Sequence, residues 1–152
     1  MVTLDDRPAI ILLVEDNPDD QEMSRRVLAR AKIRNDLHVV SDGIEALEYL
    51  RREGPYEAPA ISPRPDLILL DLNMPRLDGK GFLTEQKADP AIRGIPVIVL
   101  TTSDHDEDVA RSYDLGCSSY VRKPVGREEM ARAIEAIETY WFKIVVLPPR
   151  GE

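Results

Sequence analysis

The chain has one cysteine, Cys117, in 152 residues, so no intramolecular disulfide can form. A lone thiol fits a reducing compartment, and a cytoplasmic address is expected. Cys117 itself reads as a small buried filler. Histidine is scarce too: His38 and His105 give no metal-ligand spacing. No apolar run approaches the length of about 20 residues needed to cross a bilayer, so no membrane partner is expected. The opening residues, MVTLDDRPA, are acidic before the first apolar run, which excludes a secretory leader. Positive charge is in deficit, with 20 Lys and Arg against 28 Asp and Glu, a formal net charge of −8. A field of that sign repels nucleic acid, which is therefore not an expected partner. There is no internal repeat and no low-complexity tract. No glycine-rich phosphate loop follows the first apolar run; EDNPDD stands there and would repel phosphate.

What the chain does have is a core. Hydrophobic residues make up 43% of it, and its length suits one compact domain. Short apolar runs lie at Ile10–Val14, Leu37–Val40, Leu67–Leu70, Ile95–Leu100 and Ser119–Val121. Each has strand length, and the first, third and fourth lack polar alternation, as strands buried on both faces of a parallel sheet do. Helical segments alternate with them. Asn17 is a natural N-cap, followed by Pro18 and the dipole-complementing Asp19 and Asp20. Met23, Val27, Leu28 and Ala31 then recur at helical spacing. A second stripe is Ile44, Leu47 and Leu50. A short third helix starts around Phe82 and Leu83 and closes before Pro90. The fourth runs from about Asp106 to Leu115 and stops at Gly116, and the fifth begins after Gly126 with the apolar face Met130, Ala133, Ile134, Ile137 and Trp141. The expected fold is α/β: a doubly wound, five-stranded parallel sheet with five helices. Its boundaries are a tail at 1–9, a domain at 10–147 and a tail at 148–152. The domain includes an irregular Pro-rich loop at 54–65 and an apolar C-terminal extension at 141–147.

In such sheets the ligand site lies at the carboxyl ends of the strands. The first strand ends at Glu15 and Asp16, the third at Asp71, the fourth at Thr101, and the fifth at Lys123 before Pro124. Three carboxylates, a hydroxyl and an ammonium converge on one edge. Carboxylates gathered there repel one another, and a divalent cation relieves the repulsion. The donors are all oxygens, which suits Mg²⁺. An aspartate beside Mg²⁺ and a fixed lysine can attack a phosphoryl group, with Thr101 binding a phosphoryl oxygen.

LLVED, LLDLNMPRLDG, VIVLTTS and YVRKP, in this order, resemble the receiver domain of two-component response regulators, over about Ile10 to Tyr140. The resemblance implies a flavodoxin-like, CheY-like fold. It implies that Asp71 is the phosphoacceptor and that Glu15, Asp16, Asp71 and the backbone carbonyl of Asn73 hold Mg²⁺. Thr101 and Lys123 would contact the phosphoryl group, Thr101 and Tyr120 would form the switch, and the Lys123–Pro124 bond would be cis. More narrowly, EALEYLRREG with the Pro-rich loop after it, TTSDHDEDVARSYDLGCSSYVRKPV and YWFKIVVLPP are similar to the small regulators that partner bacterial phytochrome histidine kinases. Gly126 departs from them, since an Asp often follows KPV there. The implied partners are a histidine kinase, such as a bacterial phytochrome, and a histidine phosphotransfer protein.

Each residue also has a plainer reading. Glu15 and Asp16 could cap the first helix, although Asn17 already does so. Tyr120 alone reads equally as a core aromatic. Asp78 and Gly79 shape the turn after the third strand. A phosphatase with an aspartyl nucleophile is a rival, but such enzymes carry a second Asp two residues on, where this chain has Asn73. The expectation is therefore a non-enzyme. A receiver-like module that works without phosphorylation is a further rival, opposed by the full acidic set, Thr101 and Lys123. Finally, YWFKIVVL at 140–147 carries one charge in eight residues, more apolar surface than one helix face buries. It points to a homodimer through the last helix, the fifth strand and the C-terminal tail, with a folded-back tail as the alternative.

Overall fold

The computed structural model describes residues 8–30, 34–102, 105–124 and 126–141. The strands are β1 (Ala9–Val14), β2 (Asn35–Val40), β3 (Leu67–Leu70), β4 (Val97–Thr101) and β5 (Ser119–Arg122). The helices are α1 (Pro18–Ala29), α2 (Gly43–Arg51), α3 (Gly79–Ala88), α4 (Asp106–Asp114) and α5 (Arg127–Thr139). All strand pairs are parallel, in the order β2-β1-β3-β4-β5. The expected doubly wound sheet is what forms.

Successive side chains of a strand point to opposite faces, and both faces here are covered. Leu12, Val14, Ile68, Leu70, Val97 and Val99 meet α2 and α3 through Leu47, Tyr49, Phe82 and Leu83. Ile11, Leu13, Leu67, Leu69, Ile98 and Leu100 meet α1 and α5 through Val27, Leu28, Met130, Ile134 and Ile137. Cutting any of these central leucines to alanine would cost about 2–5 kcal/mol. Trp141 extends the α5 face onto the second layer. The rest of the apolar extension, 142–147, lies outside the described residues, as do 148–152.

The helix starts follow local chemistry. The Asn17 side chain accepts from the backbone N–H groups of Asp19 and Asp20 at 2.9 and 3.2 Å. Asp42 caps α2 by accepting from the Glu45 N–H at 2.8 Å. Asp78 caps α3 through the Gly81 N–H at 2.9 Å, so this helix begins before the expected Phe82. Its first turn, GKG, carries no apolar periodicity to announce it. Gly126 precedes α5 with φ of 104° and offers no side-chain cap. β1 starts one residue before the expected strand, and β4 starts after Pro96, two residues later than expected. The Pro-rich segment holds a 3-10 turn at Gly54–Tyr56 and is otherwise irregular, as its prolines require. The described residues contain no cis peptide bond. Lys123–Pro124 is thus trans, the intrinsically favoured form of an X–Pro bond, and the expected cis form is corrected.

Candidate phosphoacceptor and metal site

Register builds the site. Val14 pairs with Leu70, so the next residues, Glu15 and Asp71, emerge side by side at the carboxyl edge. Thr101 pairs with Arg122, which puts Lys123 one step beyond the end of β4. One carboxylate oxygen each from Glu15, Asp16 and Asp71 lies within 4.8 Å of the others. Glu15 and Asp71 are buried and Asp16 is exposed. An all-oxygen set with one open side fits a hard divalent cation that keeps part of its water shell.

Lys123 is the counter-charge. Its ammonium is buried and donates to Glu15 Oε1, to Asp20 Oδ2 at 2.8 Å, and stands 3.8 Å from Asp71 Oδ2. Burial alone would lower its pKa, but the carboxylates of Asp20, Glu15 and Asp71 outweigh burial and hold it above the usual lysine value. Glu15 runs the other way. Burial pushes its carboxyl up to about 7 and the Asp71 charge adds to this, against the pull of Lys123. Gln21 donates to the Glu15 carbonyl at 2.6 Å, and the Asn17 N–H donates to Glu15 Oε2 at 3.1 Å. The first turn of α1 thereby locks the acidic strand end in place.

The surrounding cleft, about 560 Å³, is lined by Asp16, Asp20, Asp71, Asn73, Thr102 and Lys123 among others. The expected Glu15, Asp16, Asp71, Asn73 and Lys123 are therefore together. Thr101 is not on the cleft wall. Its side chain is fully buried, and its hydroxyl has no hydrogen-bond partner. The neighbouring Thr102 lines the cleft in its place. Tyr120 is half-buried against the first core layer, and its N–H donates to Tyr113 Oη at 3.2 Å.

Three residues have roles at the site that the sequence does not announce. Asp20 complements the dipole of α1 and also accepts from Lys123. Thr102 follows a buried strand residue, and period-2 alternation was the signal for it. Gly79 sits where a Cβ would lie 2.6 Å from the Asp71 carbonyl oxygen and 2.7 Å from Leu72 Cα. Only glycine lets α3 start this close to the acidic strand end.

The chain is similar to known proteins over most of its length. A family model described as "Response regulator receiver domain" matches residues 11–135. The chain is 41% identical to the response regulator Rcp1 of Synechocystis sp., over 93% of this chain and 94% of that one. A crystal structure of the phosphorylated cyanobacterial phytochrome response regulator RcpA matches with a TM-score of 0.88 at 40% identity, covering 94% of this chain and all of that one. The Mn²⁺-bound form of Rcp1 matches with a TM-score of 0.86 at 41% identity, covering 93% of this chain and 100% of that one.

Proposed function

The chain belongs to the response regulator receiver family, and we propose that within it Asp71 accepts a phosphoryl group from a histidine kinase in the presence of Mg²⁺. The observation that carries this reading is the cluster itself: three carboxylates within 4.8 Å, with the Lys123 ammonium 3.8 Å from Asp71. Glu15, Asp16, Asp71 and the backbone carbonyl of Asn73 would hold the metal, which supplies charge neutralisation for the transferring oxygens. Mn²⁺ in Rcp1 supports a divalent site of this kind. An Asp71 oxygen attacks phosphorus, the P–O bond forms, and the P–N bond to the kinase imidazole breaks. Lys123 is fixed to receive the charge of a phosphoryl oxygen. The unpartnered Thr101 hydroxyl is an unused donor, and turning it toward the phosphoryl group would bias the position of Tyr120, which lies on the neighbouring strand opposite Val99.

Asn73 replaces the second aspartate of aspartyl phosphatases, which supports stoichiometric acceptance rather than turnover of phosphate esters. Similarity to the cyanobacterial phytochrome response regulator RcpA supports a phytochrome-type kinase as donor. A phosphotransfer protein would present the same phosphohistidine chemistry. Among the described residues no helix is long and apolar enough to cross a membrane. A cytoplasmic address goes with a kinase donor. A homodimer through α5, β5 and the C-terminal tail remains part of the proposal. Tyr140 at 51% exposure beside the apolar extension supports it. Sedimentation of the full chain should show a dimer and a truncation after Tyr140 a monomer; two monomers would end that idea.

The acceptor assignment is tested with Mg²⁺ and a small acyl phosphate. One base-labile phosphoryl group per chain should appear, and Asp71→Asn should lose it while keeping the wild-type circular dichroism spectrum. Steady turnover of a small phosphate ester, or full labelling of Asp71→Asn, would overturn the reading.

A further inference from the structure

A second cavity lies at the other end of the sheet. Its walls are the last turn of α2, the Pro-rich segment before β3, and the connection from α3 to β4. β3 begins just after Pro65 and β4 just after Pro96, so the cavity faces the amino ends of the strands. Its volume, about 710 Å³, is that of a small-molecule site.

Charge is distributed unusually here. The chain carries a net charge of −8, yet Arg51, Arg52 and Arg64 all line this cavity and no carboxylate does. Arg51 is held by Asp89 at 3.1 Å. Arg52 and Arg64 are half-buried and reach only backbone carbonyls, Ser62 O at 3.4 Å and Ala91 O at 2.8 Å. Among the described residues neither pairs with a carboxylate. A guanidinium has five N–H donors in a fork that matches phosphate, so most of this capacity is left open.

Two further observations support a ligand. Arg52 has φ 56° and ψ 50°, a left-handed conformation at a helix end where glycine or asparagine is usual. A strained non-glycine at the lip of a cavity motivates a functional reading. Part of the lining is apolar: Tyr49, Ile92 and Ile95 are buried beneath it, while Leu50 is half-buried and Pro59 exposed. Inorganic phosphate would leave the accessible apolar surface of Leu50 and Pro59 in contact with water.

We propose that this cavity binds a small organophosphate, with the phosphate on Arg52 and Arg64 and a flat apolar body, such as a nucleobase, against Leu50 and Pro59. The site is about a sheet's length from Asp71 and does not depend on phosphoacceptor chemistry.

The test is an amide NMR titration of the full chain with adenosine monophosphate. EDTA is present so that the acidic cleft cannot hold a metal–nucleotide complex. Saturable shifts are expected at Arg52, Ser62, Arg64, Ala91 and Ile92, with at least tenfold weaker binding of inorganic phosphate and of adenosine. Arg64→Gln should weaken binding at least tenfold. Arg52→Gly should do the same while keeping the fold, because glycine accepts the left-handed conformation. Absence of saturation by about 10 mM, beyond the range of a specific site, overturns the proposal. So do unchanged affinity in both variants, shifts centred elsewhere, or equal binding of inorganic phosphate.

Discussion

Replacing Lys123 with methionine removes an ammonium while nearly keeping side-chain volume, so its effect isolates charge. The ammonium is buried and faces Glu15, Asp20 and Asp71, of which Glu15 and Asp71 are themselves buried. Removing one partner of a buried ion pair costs about 3–5 kcal/mol, because the charge left behind has no water. Glu15 can escape by taking a proton. Its carboxyl is already pushed up to about 7 by burial. A carboxyl with a folded-state pKa above its unfolded value is best tolerated below the unfolded value, and stability falls as pH rises through the folded value. Losing Lys123 raises the folded value further. Each added unit costs up to about 1.4 kcal/mol at pH 8 and little at pH 5, where Glu15 is protonated in both proteins. Urea unfolding in EDTA at the two pH values reads this directly. The expected loss is about 3–5 kcal/mol at pH 8 and clearly smaller at pH 5. A loss below about 1 kcal/mol at pH 8, the range of a surface pair, would refute a buried Lys123 counter-charge. An equal loss at both pH values would refute the role of Glu15.

Gly79→Ala should destabilise the protein by about 1–3 kcal/mol and slow phosphorylation, because its Cβ would meet the Asp71 carbonyl oxygen at 2.6 Å. Unfolding and labelling time courses check it, and wild-type behaviour in both would show that the backbone relaxes freely. Thr101→Val removes a buried hydroxyl that has no partner, so a gain of about 1 kcal/mol in the unfolding free energy is expected. The same variant should still accept phosphate but lose any phosphorylation-dependent change around Tyr120; a retained change, followed by NMR, would count against the switch.

The strand ends were legible because of how parallel sheets are made. LILL and VIVL are uninterrupted apolar runs, and the first acidic or hydroxylic residue after each marks the edge. What stayed hidden depends on contacts distant in sequence. Asp20 meets Lys123 across 103 positions, and only the seating of α1 against the end of β5 decides that. The start of α3 was hidden because GKG has no periodicity, while its cause is the close approach of Gly79 to Asp71. Thr101 and Thr102 have the same chemistry, and only the pleat at the end of β4 sends one inside and the other to the cleft. The arginine-lined cavity joins three connections, none of which carries a motif.

The acidic edge is also where folding and function pull against each other. Strand register forces Glu15 beside Asp71, and Asp16 and Asp20 complete a set of four carboxylates against one ammonium. Raising the Glu15 carboxyl from 4.5 to about 7 corresponds to about 3 kcal/mol of instability at neutral pH. A divalent cation that binds only the folded state at a hundredfold excess over Kd returns about 2.7 kcal/mol. Metal binding and the burial of Glu15 therefore act on stability in opposite directions. A Glu15→Gln chain would therefore be more stable without metal and would gain less from adding it. A neutral amide at this position would leave the proposed cation site beside Asp71 with one fewer carboxylate, so the gain in stability and the loss of metal response should appear together.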